Sequence, residues 1–303
     1  MLVNMKYVLD KANKEKYAVG AFNFNNMEQL QAIVDAAKDL KSPIIVSTSQ
    51  GAIDYAGEKM LYNMVKTFDD LEIPIVLHLD HGKDFEYVLR CIRAGWTSVM
   101  IDASMYDFEE NIQRTKRVVE IAKTLNVSVE AELGHVTGEE DGIIQRSKLY
   151  TDPKKAKEFV DKTGIDFLAV AIGTSHGAYK YEGDLELDIK RLKEIKKILN
   201  IPLVLHGASG IDQKLIQIAT LYGAKLKGAK GIDDEQIKLA VKNGINKVNI
   251  DSDNRIAFMT GVRETLANNS DVFDPRKILK LSYKYMYDLT SHKIKLLGSE
   301  NKA

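Results

Sequence analysis

A single cysteine, Cys91, occurs among 303 residues. That excludes an intrachain disulfide framework and a multi-cysteine zinc site, and it fits a reducing cytoplasm. No charge excess is present either, since 43 basic side chains face 43 acidic ones. A nucleic-acid binder carries a basic surplus, so nucleic acid is not an expected partner. No apolar run approaches the length needed to span a bilayer, and low-complexity tracts are missing. The opening MLVNMKYVLD holds no long apolar core and no small-residue cleavage site, so it is not read as a signal peptide. A cytoplasmic globular protein with no membrane partner is the expectation. At this length a chain buries about three quarters of its unfolded surface, so it needs no staple merely to fold.

What the chain does have is alternation. Short aliphatic and β-branched runs recur at Ala18–Phe22, Ile44–Thr48, Ile75–Leu79, Ser98–Ile101, Val127–Glu132, Phe167–Ile172, Leu203–Leu205 and Lys247–Ile250. Several are apolar almost throughout, as parallel strands covered by helices are. Pro43, Pro74 and Pro202 open three of them, at the position where a missing N–H matters least. Between the runs, Met27–Leu40, Phe85–Ala94, Glu110–Leu125, Leu187–Leu199 and Glu235–Asn243 space their apolar residues helically. Asp152-Pro153 and Asp274-Pro275 read as helix starts. Eight β-α units without a composition break predict a single-domain (β/α)8 barrel over residues 1–303. An open doubly wound sheet gives the same alternation, and the strand count favours the barrel. Tyr150–Gly164 and Gly223–Gly231 read as extra material, the latter as a solvated connection. Pro275–Leu297 reads as a long C-terminal helical extension, packing across the barrel or against a second subunit.

In such barrels chemistry sits at the carboxyl ends of the strands. There the sequence places Asn23, Ser47–Gly51, His78–Gly82, Asp102–Ser104, Glu130–Glu132, Gly173–Gly177, His206–Gly210 and Asn249–Asp253. Four of the six histidines fall at this one end. With neighbouring carboxylates they form the pattern of a divalent metal site, and imidazole ligands favour zinc. Residues two apart share a strand face, so His78 and Asp80 both point inward with His78 deeper. Periodicity leaves the choice between His78 and His81 open. Rim residues are expected at the metal and deeper ones, such as Glu130, behind them. His135 and His292 read as loop and helix-surface residues. The glycine-bearing turns after the last two runs match the recurrent phosphate position of these barrels. Asp251 would repel phosphate and is read as orienting a hydroxyl. No run ends in lysine, and Lys247 is expected at the wrong end of its strand, so Schiff-base carbonyl chemistry is not expected.

The segments GAFNF (20–24), HLDHG (78–82), SVMIDAS (98–104), SVEAELGHVTGEEDG (128–142), AIGTSHGAYK (171–180), PLVLHGASGI (202–211) and NKVNIDSDNRIAF (246–258) resemble the class II, metal-dependent fructose-bisphosphate aldolases. The resemblance lies in the branch shared with tagatose-bisphosphate aldolases and spans nearly the whole chain. It implies His81, His176 and His206 as zinc ligands. It places Asp102 and Glu132 near the metal, where a second or displaced ion binds. It makes Asp80 the acid/base at the aldehyde oxygen and Glu140 the mobile-loop base. Asn23, Ser49, Lys180 and Asn249 become substrate contacts. Gly177, Gly207, Ser209 and Ser252 become the ketone-side phosphate site, with a monovalent cation, Na+ or K+. His78 is not a ligand in that family.

The resemblance also implies a sugar bisphosphate substrate and a homodimer or homotetramer. Thr137 stands where a glycine is common, and Ser252 where threonine is common. The expected reaction is the reversible cleavage of fructose 1,6-bisphosphate. Tagatose 1,6-bisphosphate is the nearest rival substrate. Asp251 followed by Arg255 resembles the fructose-specific members, because a buried polar group rejects a misfitting hydroxyl by lost pairing. A zinc hydrolase barrel would want His-x-His on its first strand, where this chain has AFNF. A non-catalytic scaffold would have no need of Asp80 or Glu140.

Overall fold

The computed structural model describes residues 1–134, 150–175, 186–226 and 228–303, and the backbone alone of 137–140, 143–145 and 176. The chain runs α1 (Met5–Glu15), β1 (Val19–Asn23), α2 (Met27–Asp39), β2 (Ile44–Thr48), α3 (Gln50–Ala56), α4 (Glu58–Lys66), β3 (Ile75–Gly82), α5 (Phe85–Ala94) and β4 (Ser98–Ile101). It continues through α6 (Phe108–Thr124), β5 (Ser128–Leu133), β6 (Thr137–Glu140), β7 (Ile143–Gln145), α7 (Pro153–Thr163), β8 (Phe167–Val170), β9 (Ser175–His176), α8 (Ile189–Ile198) and β10 (Leu203–Leu205). It ends in α9 (Gln213–Leu221), α10 (Asp234–Lys242), β11 (Ile245–Ile250), α11 (Ser252–Asn268), α12 (Pro275–Ile278) and α13 (Lys280–Leu297).

Eight parallel strands close in the order β1-β11-β10-β8-β5-β4-β3-β2. These are the eight runs of the sequence, and their closure makes the fold a (β/α)8 barrel. β7, β6 and β9 form a separate small sheet. Short polar side chains start most helices. Asn26, Asp84, Asp107, Asp152, Asp188 and Asp233 each accept the first-turn N–H three residues on. Each satisfies a donor that has no partner within its helix.

Two expectations need correction. Tyr150–Gly164 is not extra material: it holds α7, a regular barrel helix capped by Asp152 and ended by Gly164 in the left-handed region. Gly223–Gly231 is the link between α9 and α10, and it is not wholly solvated, since Ala224 and Ala229 are buried. Any side chain at Gly231 would meet the Ser209 carbonyl. The C-terminal helical extension is present, as the short α12 followed by the 18-residue α13. Gly261 of α11 lets the backbone at Ser282 approach closely. Tyr283 and Tyr287 of α13 donate to Asp35 and Asp39 of α2, each at 2.7 Å.

The interior is layered along the barrel axis. At the amino end α1 inserts Met5, Val8, Leu9 and Ala12 among Val19, Ala21, Ile45, Val76, Phe167, Ala169 and Val204. This floor is a core of its own, distinct from the larger one between strands and helices. Above it the inward positions become polar: Ser98, Ser128, His78, Glu130 and Lys247, all buried. Nearer the mouth come Asn23, Asp80, Glu132, His206 and Asn249. The order follows from strand parity, because Val76, His78 and Asp80 share one face, as do Ser128, Glu130 and Glu132. Among the described residues no helix is long and apolar enough to cross a membrane.

Candidate active site

Strand parity alone puts neighbours on opposite faces, so Asp80 and His81 cannot both face inward from a regular strand. The chain resolves this with a register shift between β3 and β4 across Leu79–Gly82 and a left-handed φ of 49° at His81. His81 thereby joins Asp80 and His206 in one cluster, their ligand atoms all within 4.8 Å of one another. Asp102, Glu132 and His81 form a second such group. His78 stays deeper. Its Nδ1 meets Ser98 Oγ at 3.0 Å, and burial, aided by the nearby Lys247 cation, pushes its pKa down to about 3. Of the two, it is His81 that stands in the cluster with Asp80 and His206.

The two imidazoles are aimed by carboxylates. His81 Nδ1 lies 2.7 Å from Asp102 Oδ2, and His206 Nε2 lies 2.6 Å from Glu130 Oε1. Burial works to raise both carboxyls, but their partners win and hold both well below the usual carboxylate range. The winning contacts are His81 and Ser104 for Asp102, and chiefly Lys247 for Glu130. An ionised carboxylate only accepts, so the far nitrogen of each ring carries the proton and the other offers its lone pair. Those other nitrogens, His81 Nε2 and His206 Nδ1, face each other at 2.8 Å, with the rings edge to face. Two imidazole lone pairs converging beside Asp80 and Glu132 fit a divalent cation. Among the described residues no other cluster of this kind occurs.

Asp80 is 1% exposed. Asn249 Nδ2 donates to its Oδ1 at 2.8 Å and Asn23 Nδ2 to its Oδ2 at 3.1 Å. The amide oxygens of Asn23 and Asn249 are buried with no hydrogen-bond partner among the described residues. Polar groups left so are rare inside proteins and are commonly met by ligand or water.

Beyond β10, Gly207 adopts φ 61°, and a Cβ there would stand 2.6 Å from the Ser175 carbonyl. Only glycine lets these two loops meet. The turn is braced from α11, where Asp253 accepts from the N–H groups of Gly210 and Ile211 at 2.8 and 2.6 Å. Ser209 is buried beside this brace, and Ser252 opens the 17-residue α11. Arg255 Nε lies 2.9 Å from the Asp251 carboxylate, one turn back. Ser49 caps α3 by accepting from Ala52 N–H at 3.3 Å. The side chains of His176 and Glu140, together with Gly177, Lys180 and His135, lie outside the described residues. His292 is a helix-surface residue, as expected, paired with Asp234 at 2.7 Å.

One expectation about lysine fails. Lys247 is not at the outer end of its strand: β11 begins at Ile245, and Lys247 lies inside the barrel with 0% exposure. Its Nζ is 2.8 Å from Glu130 Oε2. Sequence reasoning missed it, and missed Asp253. For Lys247 a signal existed, because it stands two residues before Asn249 and so shares that residue's inward face.

The profile of the family described as "Fructose-bisphosphate aldolase class-II" matches residues 3–302. A fructose-bisphosphate aldolase of Helicobacter pylori is 47% identical over 306 residues, covering all of both chains. One of Thermus caldophilus is 46% identical over 305 residues, again with full coverage. The crystal structure of the YdjI aldolase from Escherichia coli K12 superposes with a TM-score of 0.82 at 34% identity, covering 100% of each chain. The chain belongs to the class II fructose-bisphosphate aldolase family. Membership in this class implies a divalent metal.

Proposed function

We propose that the cluster at the barrel mouth performs the reversible cleavage of fructose 1,6-bisphosphate into dihydroxyacetone phosphate and glyceraldehyde 3-phosphate, with roles as follows. The observation that carries this reading is Asp80, a buried carboxylate held at both oxygens beside two converging imidazoles. Each oxygen of Asp80 accepts an amide hydrogen, which fixes the carboxylate in place. Asp80 takes the C4 hydroxyl proton as the C3–C4 bond breaks and returns it in condensation. A divalent ion held by His81, His206 and His176, zinc by ligand type, supplies a Lewis acid at the substrate carbonyl. Asp102 and Glu132 stand beside this position.

Glu140 protonates the carbon released at C3. The backbone pairing of β6 with β9, Gly138 opposite His176, supports this role. Gly177, Gly207, Ser209 and Ser252 hold the ketone-side phosphate with a monovalent cation, Na+ or K+. Asn23, Ser49, Lys180 and Asn249 contact the sugar. Asp251 selects the fructose epimer through a substrate hydroxyl, and Arg255 holds the distal phosphate. The protein acts in the cytoplasm as a homodimer or homotetramer of single-domain subunits.

A coupled assay of aldol cleavage, with and without chelator, tests the reading. Chelation abolishes cleavage and zinc restores it, while borohydride with substrate traps no lysine adduct. A trapped adduct would overturn it.

A further inference from the structure

Behind each of the two imidazoles stands the same device. His81 is aimed by Asp102, whose other oxygen accepts the Ser104 backbone N–H at 3.1 Å. His206 is aimed by Glu130, whose other oxygen is held by Lys247 Nζ at 2.8 Å. The first carboxylate is steadied by a backbone amide close in sequence. The second lies deep in the barrel, where no loop amide reaches, and a side chain does the same job. Lys247 and Glu130 are both 0% exposed, and Lys247 Nζ also lies 3.4 Å from His78 Nε2. A lysine so enclosed is barred from substrate, and its ammonium has a standing partner. It is therefore no nucleophile.

We propose that Lys247 is a positioning residue for metal binding. By gripping Glu130 Oε2 it fixes Glu130 Oε1 against His206 Nε2 and so turns His206 Nδ1 toward the mouth. This rests on reading His81 and His206 as metal ligands. Partners that orient a ligating histidine typically account for about 10- to 100-fold in metal affinity. The lysine acts two contacts away from the ion, through one carboxylate and one ring.

The test measures zinc affinity of the full-length apo enzyme by chelator competition, with the absorption bands of the cobalt-substituted protein as a second readout. Lys247→Met leaves Glu130 buried without its cation, and this variant need not fold. Two double variants therefore carry the comparison. Lys247→Met with Glu130→Gln removes both charges but keeps an oxygen that accepts from His206 Nε2. Lys247→Met with Glu130→Leu removes the charges and the acceptor. The glutamine pair keeps the acceptor but has nothing to grip it, so it is expected to bind zinc at least about 10-fold more weakly than the wild type and to lose the wild-type cobalt spectrum, and the leucine pair is expected to weaken by at least as much. Wild-type affinity with a wild-type cobalt spectrum in either pair would overturn the proposal. His206→Ala separates the underlying reading: unchanged zinc affinity in that variant removes the metal ligand itself, whatever Lys247 does.

Discussion

At the closed end of the barrel, Met5, Val8, Leu9 and Ala12 of α1 pack among apolar neighbours such as Val19, Ile45 and Phe167. At the open end, the same strands deliver Asn23, Asp80, His206 and Asn249, buried nearly as deeply. Burial is thus shared by both ends, and chemistry separates them. At the floor each side chain gains by leaving water, at about 25 cal/mol per Å². At the mouth each side chain must be held by a named partner, because a buried polar group without one costs about 1–3 kcal/mol. A floor residue should therefore report on stability alone, and a mouth residue on turnover.

Asp80→Ala breaks the mouth most sharply. It should keep its zinc, by metal analysis, and lose roughly 10²–10⁴ in cleavage rate. A variant retaining near-normal kcat would remove Asp80 from the acid/base role. Leu9→Ala tests the other end. It should cost about 2–5 kcal/mol in denaturant unfolding while kcat of the folded fraction stays unchanged. A large fall in kcat would show that floor and mouth are not separable.

Asp251→Ala sharpens the account of the mouth. It should lower fructose 1,6-bisphosphate cleavage more than tagatose 1,6-bisphosphate cleavage, narrowing a discrimination of about 2–4 kcal/mol. Steady-state kinetics on both sugars decides it, and an undiminished preference for fructose counts against the carboxylate. The layer between the ends is read against pH. His78 has an ordinary pKa of 6.5 and a folded value of about 3, so the unfolded chain binds its proton first as pH falls. Stability from this group is complete above pH 6.5 and drains away toward pH 3, at up to about 1.4 kcal/mol per pH unit. His78→Asn should flatten the unfolding free energy against pH across that window by about one proton. An unchanged slope would mean that the ring is charged in the folded protein.

Much of this was legible in the chain. Ile44–Thr48, Ser98–Ile101 and Leu203–Leu205 are strands with the bounds read from composition. The reason is physical, since an all-buried parallel strand leaves an unbroken apolar run that turns polar where the mouth begins. Two-residue parity also predicted His78 below Asp80 and Glu130 below Glu132. Parity failed at His81, because one left-handed residue reverses the faces and a histidine does not announce it as a glycine would. Lys247 was misplaced because its partner, Glu130, is 117 residues away. No local pattern shows that a buried cation has been met. The floor helix α1 went unrecognised although Met5, Val8, Leu9 and Ala12 have helical spacing behind the cap Asn4.

The closure of the barrel sets a timetable for making it. β1 pairs with β11, Ala18 N–H donates to Leu297 O, and α13 clasps α2 through Tyr283 and Tyr287. The earliest strand thus waits for a pairing partner more than 220 positions later, as in Val19 with Lys247, an arrangement that slows folding. At ribosomal speeds of about 5–20 residues per second, that wait lasts roughly tens of seconds. Throughout it the growing sheet carries two unpaired edges, each a template for another chain. The stage most exposed to aggregation is therefore synthesis, before α13 has left the ribosome, and not the finished enzyme.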